Sequence, residues 1–268
     1  MTTSNSTHET PLLEVRDVTK NYGHVQALRG VSLSVPEGQV IGLIGDNGAG
    51  KSTLVRMLSG AEQPDTGSIL VRGRHVSLSS PGASQHEGIE TVFQDLALAP
   101  DLDAASNLFL GRERRHPGPL GALGWMDRAG MRNKAKTVFS SLGVQIADVR
   151  SPIATYSGGQ RQGVAVARAA HWANHLLILD EPTAALGVAQ TKSVLDLIKR
   201  VRDRGIAVLL ISHNMPDVMN VCDRITVLRL GARVADIPVD EATTDGLVSA
   251  MTGASTLTSP RAISQDIR

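Results

Sequence analysis

The chain contains, directly after the apolar run Val40–Ile44, the glycine-rich sequence Gly45-Asp46-Asn47-Gly48-Ala49-Gly50-Lys51-Ser52. This sequence fits the pattern G-x-x-x-x-G-K-[ST], and the residues 52–58 that follow it have helical character. In such a strand, loop and helix the glycines let backbone N–H groups converge on phosphate oxygens. The pattern therefore predicts a phosphate-binding loop for a nucleoside triphosphate within an α/β fold.

Two residues of this loop carry chemistry of their own. Lys51 stands where its ammonium can reach the outer phosphates, and the Ser52 hydroxyl can ligate Mg²⁺. A dinucleotide-binding fingerprint is excluded, because Gly48-x-Gly50 is followed by Thr53 where that fingerprint needs a third small glycine. The alternative is a plain glycine turn before a solvated helix.

A pair of carboxylates follows a second apolar run, Leu176–Leu179. Asp180, at the tip of the predicted strand, can hold Mg²⁺ through water, and Glu181 is placed to polarise the water that attacks the γ-phosphate. Acidic pairs also simply end strands, but a phosphate loop in the same chain favours the catalytic interpretation.

Patterns elsewhere in the chain extend this unit to a whole fold. Alternation in 13–18 and 31–35 predicts strands of an antiparallel sheet, and the apolar runs 176–179 and 206–211, separated by a helical pattern over 188–204, predict a parallel sheet. Residues 103–142 have no strand pattern. We therefore predict a P-loop NTPase with a mostly parallel core sheet, an N-terminal antiparallel β subdomain and a helical subdomain inserted at about 100–170. It would occupy 11–253, between disordered tails at 1–10 and 254–268.

The composition fits one large folded domain: 268 residues, 41% of them apolar and 20% charged. A net charge of +1 argues against a surface built to attract nucleic acid or anionic lipid. The single cysteine, Cys222, allows no internal disulfide, which makes the cytoplasm the expected compartment. We expect no signal peptide in the polar sequence MTTSNSTHET, and no apolar run approaches the roughly 18 residues of a membrane span.

A second anion site is predicted at Tyr156-Ser157-Gly158-Gly159-Gln160, which opens a helix running through Ala169. Backbone N–H groups at such a helix start bind anions. One nucleotide does not need two such sites in a single chain, so we expect each nucleotide to be shared by two chains.

Together these motifs resemble the ATP-binding cassette of ABC transporters, over about residues 12–253. The resemblance also rests on Gln94 at the end of a predicted strand 91–94, on the sequence Ser-Gly-Gly-Gln, and on His213 after a strand ending at Ser212. It implies an ATPase whose cofactors are ATP and Mg²⁺.

The resemblance also implies a role for each matched residue. Lys51, Ser52 and Thr53 would bind phosphates and metal, and Gln94 would contact Mg²⁺ and sense a membrane partner. Ser157 and Gly159 would contact the γ-phosphate of the nucleotide held by the opposite chain, within the segment that also includes Gly158 and Gln160. His213 would steady that phosphate in the transition state, and Tyr22 would stack on adenine, since a base favours a flat apolar face.

Residues 94–98, 105–113 and 183–187 are similar to the ATPase subunits of ribose-, xylose- and fructose-type importers. Many of those carry two cassettes, whereas this chain has room for one. Tyr156 stands where Leu is the rule, and Gly187 stands where most cassettes have an Asp that couples the two sites.

The resemblance implies a subunit on the cytoplasmic face of the membrane that energises import of a monosaccharide. Its expected partners are a separate transmembrane permease, a second copy of the cassette and, indirectly, a sugar-binding protein, but no nucleic acid. The alternatives are a cassette for another cargo and a soluble ABC ATPase outside transport.

Overall fold

The computed structural model describes residues 10–254, apart from the side chain of Leu120. The expected tails at 1–10 and 254–268 therefore lie, except for Thr10 and Ala254, outside the described residues. Within this range the strands are β1 (Leu13–Tyr22), β2 (Val25–Val35), β3 (Val40–Gly45), β4 (Thr66–Val71), β5 (Arg74–Val76), β6 (Ile89–Val92), β7 (Leu176–Asp180), β8 (Ala207–Ile211), β9 (Arg224–Arg229) and β10 (Ala232–Pro238).

The helices of the same range connect these strands. They are α1 (Lys51–Leu58), α2 (Pro81–His86), α3 (Ala104–Leu108), α4 (Pro119–Ala122), α5 (Arg128–Leu142), α6 (Gly158–Trp172), α7 (Val188–Arg202), α8 (Met215–Val221) and α9 (Thr244–Thr252). Among residues 10–254, no helix combines the length and apolar character that crossing a bilayer requires.

The strands form two sheets. The first is antiparallel, in the order β2-β1-β4-β5, and the second has the order β10-β9-β3-β8-β7-β6. In the second sheet β9, β3, β8, β7 and β6 run parallel, and β10 closes one edge as an antiparallel strand. The predicted fold is confirmed, including the strands at both sequence patterns of the N-terminal region.

The core lies on both faces of the parallel sheet. In β7 the side chains of Leu177 and Leu179 pack against the helical side, while Leu176 and Ile178 pack toward the antiparallel sheet. All four are essentially inaccessible to solvent. Burial on both faces explains why this strand is a continuous apolar run rather than an alternating one.

Between β6 and β7 the chain is helical, as expected, and contains α3, α4, α5 and α6. One isolated bridge, Arg115 with Met126, is formed within the stretch 103–142. The boundaries of the helical subdomain remain a prediction.

Two features differ from the sequence-based expectation in detail. β6 ends at Val92, so Gln94 lies two residues beyond the strand rather than at its end. The hairpin of β9 and β10 was not predicted. β9 pairs directly with β3, the strand before the phosphate loop, so that β3 is an interior strand of the sheet.

Candidate functional site

The phosphate loop connects β3 to α1 and is clamped against β2. Gly50 caps α1 with a left-handed φ of 102°, and a Cβ atom on it would lie 2.6 Å from Leu28 Cδ2 and 2.7 Å from Ala27 O. The carbonyl of Ala49 accepts a hydrogen bond from the N–H of Gly231, 3.1 Å away. Glycine is required at position 50 because the backbone there is both left-handed and pressed against a neighbouring strand.

Lys51 folds back over the same loop. Its Nζ donates to Gly45 O at 2.7 Å and to Asp46 O at 3.1 Å. Burial lowers the pKa of Lys51, and the nearby carboxylates of Glu181, Asp180 and Asp46 oppose that shift. The Lys51 ammonium is therefore held as a compact charge against the backbone carbonyls of the loop.

An open cleft of about 420 Å³ extends from the loop to the end of β1. It is lined by Tyr22, Val25, Leu230 and the loop residues 47–53, among others. The Tyr22 ring is 40% exposed, and its hydroxyl donates to a carboxylate oxygen of Glu62 and accepts from Arg56 Nη2 at 3.2 Å. These contacts fix the ring at the mouth of the cleft, where it presents an apolar face next to the phosphate loop.

Asp180 and Glu181 lie where β7 ends, beside β8. Asp180 pairs with Ile211 in the sheet, and the N–H of Glu181 donates to Ile211 O at 2.9 Å with a left-handed φ of 53° at Glu181. Burial raises the pKa of Asp180, and so does the neighbouring Glu181, whereas Lys51 lowers it. The side chains of Asp180, Glu181 and Lys51 thus form one coupled group of charges.

His213 follows β8 and meets this group. Its Nδ1 lies 2.9 Å from Glu181 Oε1, and its side chain is 71% exposed whereas that of Glu181 is 17% exposed. The predicted base and the predicted histidine are therefore brought together by the ends of two adjacent parallel strands.

A buried contact supports this arrangement, and sequence reasoning missed it. Thr183 Oγ1 donates to Asp217 Oδ2 at 2.7 Å, and both residues are buried. The bond joins the segment after Glu181 to α8, which follows His213. The signal in the sequence was an acid four residues after His213, inside a helix whose other residues are apolar except for Asn220.

The Ser157 segment forms the start of α6. Ser157 Oγ accepts from the N–H of Gln160 at 3.3 Å, and Gln160 Oε1 accepts from the N–H of Ser157 at 3.0 Å, which is a capping box. A Cβ on Gly159 would lie 2.5 Å from Gln190 Cγ. A cleft of about 390 Å³ opens here and shares no lining residue with the cleft at Tyr22.

The two departures from the family pattern are both accommodated. The Tyr156 ring packs against the core, and its hydroxyl donates to Asp148 O at 2.9 Å, which leaves the capping box intact. Gly187 caps α7 with φ −73°, a conformation that any residue can adopt. Backbone geometry therefore does not require glycine at position 187.

Gln94 has an exposed side chain on the loop after β6. Because Val92 pairs with Leu179 in parallel register, this loop leaves the sheet at the same edge as Asp180. The structure thus places Gln94, Asp180, Glu181, His213 and the phosphate loop at the carboxyl ends of neighbouring strands. Ser157 to Gln160 line the other cleft.

Comparison with known proteins agrees with this architecture. A model of the ABC transporter family matches residues 28–184. The fructose import ATP-binding protein of Rhizobium meliloti is 47% identical over 91% of this chain and 95% of its own length. The xylose/arabinose import ATP-binding protein of Sulfolobus acidocaldarius is 41% identical over 90% and 94% respectively. A ribose import ATP-binding protein of Streptomyces coelicolor is 39% identical over 94% of this chain but only 49% of its own length.

Solved structures show the same fold. An ATP-binding cassette of an ABC transporter in its ADP conformation superposes with a TM-score of 0.76 at 25% identity, covering 90% of this chain and 95% of that one. A nucleotide-free cassette superposes with a TM-score of 0.74 at 27% identity, covering 84% and 90%. The phosphate loop, the acidic pair and the glycine-rich start of α6 therefore have a common explanation: this chain belongs to the ABC transporter family, as one of its ATP-binding cassettes.

Proposed function

We propose that this chain is the ATP-hydrolysing subunit that energises import of a monosaccharide through a separate transmembrane permease. The observation that carries the proposal is the 47% identity to a fructose import ATP-binding protein over nearly the full length of both chains. The contact between Glu181 and His213 beside the phosphate loop supplies the hydrolytic chemistry that such a subunit needs.

In this proposal ATP binds along the cleft from Tyr22 to the phosphate loop. The base stacks on the Tyr22 ring, and the N–H groups of the loop residues, together with Lys51, Ser52 and Thr53, hold the phosphates. When phosphate oxygens take the place of Gly45 O and Asp46 O as partners of Lys51 Nζ, the ammonium exchanges two neutral acceptors for charged ones.

The residues at the sheet edge fit a magnesium ion. Ser52, Gln94 and Asp180 offer only oxygen ligands, and residues 10–254 contain no group of three or more His, Cys, Asp or Glu side chains that would form a complete metal cage. Mg²⁺ suits a site of this kind because it keeps several waters and shares phosphate oxygens. When bound, it would neutralise phosphate charge and favour the ionised form of Asp180, which burial and Glu181 disfavour.

Hydrolysis is assigned to Glu181 and His213. Glu181 accepts a proton from the attacking water and orients the exposed His213 ring through their contact, and His213 donates to the γ-phosphate in the transition state. Thr183 and Asp217 hold the two loops that carry these residues at a fixed separation.

A second copy of the chain completes each site. Ser157 and Gly159 line a cleft that is separate from the one at Tyr22, so one chain presents the two halves of a nucleotide site in different places. Two chains arranged head to tail would each cover the other's nucleotide, and closure and reopening of that pair would drive the permease.

The permease would contact the helical subdomain from the cytoplasmic side, with the chain as a peripheral subunit. Of the eleven large apolar side chains exposed among the described residues, six lie between 93 and 126: Phe93, Leu102, Leu110, Leu123, Trp125 and Met126. In this proposal these exposed side chains offer the apolar contacts that a membrane partner would bury. A sugar-binding protein would act through the permease, and no role for nucleic acid is proposed.

Two measurements test the proposal. Purified chain should hydrolyse ATP, and Glu181→Gln should abolish turnover while leaving ATP binding intact; the exposed-surface variant Glu241→Gln is the control. Near-normal hydrolysis by Glu181→Gln would overturn the assignment of the base.

Cargo is tested in cells that lack this gene and are complemented with the wild type or with Glu181→Gln. Uptake of labelled fructose, xylose or ribose should return only with the wild type. Restored hydrolysis with no uptake of any monosaccharide would favour a cassette for another cargo, and salt-sensitive binding to nucleic acid without a co-purifying membrane subunit would favour a soluble ATPase.

A further inference from the structure

Arg168, in the second half of α6, reaches out of its helix to the segment that follows Gln94. Its Nη1 donates to Ala97 O at 2.9 Å, and its Nη2 donates to Leu96 O at 3.1 Å. Both acceptors are consecutive backbone carbonyls rather than a carboxylate. Two charge-assisted bonds from one planar guanidinium fix the orientation of the peptide segment as well as its distance.

The two hydrogen bonds from Arg168 end at a residue with an unusual backbone conformation. Ala97 has a left-handed φ of 47°, which a residue with a Cβ adopts only when its surroundings hold it there. Its N–H also donates to Asp95 Oδ1 at 3.3 Å. The Arg168 contact therefore falls where the chain makes its tightest turn after Gln94.

The far end of this segment is held independently. Asn107 of α3 is completely buried; its Oδ1 accepts from the N–H of Ala99 at 2.8 Å, and its Nδ2 donates to Ala99 O at 3.0 Å. By contrast, the side chains of residues 93–95 are exposed. Residues 93–95, between the end of β6 and Leu96, thus form a short exposed linker, whereas Leu96, Ala97 and Ala99 are bonded to side chains of α6 and α3.

The other end of Arg168's own helix carries the Ser157 segment. Eleven residues separate Ser157 from Arg168, which is about 16 Å along a regular α-helix. A continuous hydrogen-bonded helix transmits a shift at one end to the other without a change in its internal geometry. A displacement of Leu96 and Ala97 is therefore conveyed to α6 by the Arg168 side chain. Backbone bonds from the N–H of Ile153 to Leu102 O at 3.0 Å and from the N–H of Ala154 to Pro100 O at 2.9 Å hold the next part of the segment beside the start of that helix.

We propose that Arg168 is a positioning residue that joins the segment after Gln94 and α6 into one rigid body, so that Gln94 and Ser157 are placed together. The proposal rests on the proposed roles of Gln94 and Ser157 in the nucleotide site. It explains why a partly buried positive charge stands between the buried small residues Ala167 and Ala169 of α6.

The first test needs no nucleotide, so its result is independent of the proposed function. Spin labels are attached to the exposed positions Ala97→Cys and Arg161→Cys in the full chain carrying Cys222→Ala, and the distance between them is measured. We expect one narrow distance distribution in this parent, a distribution at least twofold broader with Arg168→Met, and an intermediate width with Arg168→Lys. An unchanged distribution with Arg168→Met would overturn the proposal.

A matched control separates positioning from general loss of stability. Trp172→Phe removes the hydrogen bond from Trp172 Nε1 to Leu108 O, 2.9 Å long, from the same helix. It should lower Tm but leave the distribution narrow. If Trp172→Phe broadened the distance distribution as much as Arg168→Met does, Arg168 would have only a general packing role. That result would refute the proposal.

The second test reads the effect on the proposed site. In a Glu181→Gln background, Arg168→Met should raise the ATP concentration for half-maximal dimer formation at least tenfold, while affinity of the chain for a fluorescent ATP analogue changes less than twofold. Dimer formation at the same ATP concentration as the parent would show that Arg168 does not link the two halves of the site.

Discussion

The Nδ1 atom of His213 lies 2.9 Å from Oε1 of Glu181 and joins the loops after two adjacent parallel strands through their side chains. Glu181 is largely enclosed, whereas His213 projects into solvent. The contact therefore orients an exposed ring by means of an enclosed carboxylate, and leaves the second ring nitrogen, Nε2, available for the proposed contact with phosphate.

Replacing this ring should impair turnover without weakening the fold. We expect His213→Ala to lower kcat for ATP hydrolysis about 100-fold, the effect of losing one donor to transition-state charge. Tm should shift by no more than about 2 °C, because the ring is exposed. Steady-state hydrolysis and thermal unfolding measure the two effects, with the exposed-residue variant His86→Ala as control; wild-type kcat in His213→Ala would contradict the assignment.

The phosphate loop offers a matched pair of glycines. Both Gly48 and Gly50 have left-handed φ values, 79° and 102°, but a Cβ on Gly48 would meet nothing within 4 Å whereas one on Gly50 would clash with Leu28 and Ala27. Gly48→Ala should cost about 1–2 kcal/mol of unfolding free energy from backbone strain alone. Gly50→Ala should cost more, about 3 kcal/mol or above, because β2 must also shift. Urea unfolding compares the two, and equal losses would show that the loop is not clamped.

Tyr22 is predicted to act through its ring and not through its hydroxyl. Tyr22→Ala should weaken ATP binding about tenfold, since stacking of a base on an aromatic ring is worth about 1–3 kcal/mol. Tyr22→Phe should bind within about twofold of wild type, although it loses the contacts with Glu62 and Arg56. Titration with a fluorescent nucleotide distinguishes these outcomes; a tenfold loss in Tyr22→Phe would instead assign recognition to the hydroxyl.

Asp180 should destabilise the nucleotide-free chain in a pH-dependent manner. Its pKa is raised in the folded state by burial and by Glu181, so the ionised carboxylate costs stability at pH values above the folded-state pKa. That cost disappears as the pH falls through the folded-state pKa, because the folded protein takes up the proton first. Asp180→Asn should therefore have a higher Tm than wild type near neutral pH, and the difference should shrink as the pH is lowered.

The same experiment in the presence of Mg–ATP should reverse the order. The wild type would gain stability from ligand binding that Asp180→Asn cannot match. A wild type that is more stable than Asp180→Asn without ligand at neutral pH would show that attraction to Lys51 outweighs the burial of the carboxylate.

Much of the fold and of the site could be predicted because the relevant patterns are local. The loop from Gly45 to Ser52 combines an apolar strand, glycines and a helix in one short segment, and the strand of Leu176 to Leu179 ends directly at its acidic pair. Each pattern states both its secondary structure and its chemistry. The structure brings Glu181 and His213 together although 32 residues separate them, because parallel strands end at one edge of the sheet.

Long-range contacts were beyond such reasoning. The bond between Thr183 and Asp217, and the grip of Arg168 on Leu96 and Ala97, join residues whose partners no local pattern names. The hairpin of β9 and β10 escaped because its short strands alternate weakly and their place beside β3 is set by tertiary pairing. Secondary-structure propensity describes one segment of the chain at a time. These contacts and this strand pairing depend on two distant segments together, so propensity does not predict them.

The two separate clefts have a consequence for gene dosage. If two identical chains share each nucleotide, a chain bearing Glu181→Gln still contributes an intact Ser157 segment to its partner's site. Only the site that contains its own position 181 loses the base. Random pairing of equal amounts of wild type and variant leaves about one quarter of the pairs wholly wild type. An inactive allele expressed beside the normal one would then reduce the fully active population below one half, so inheritance of the defect would be partly dominant and not recessive.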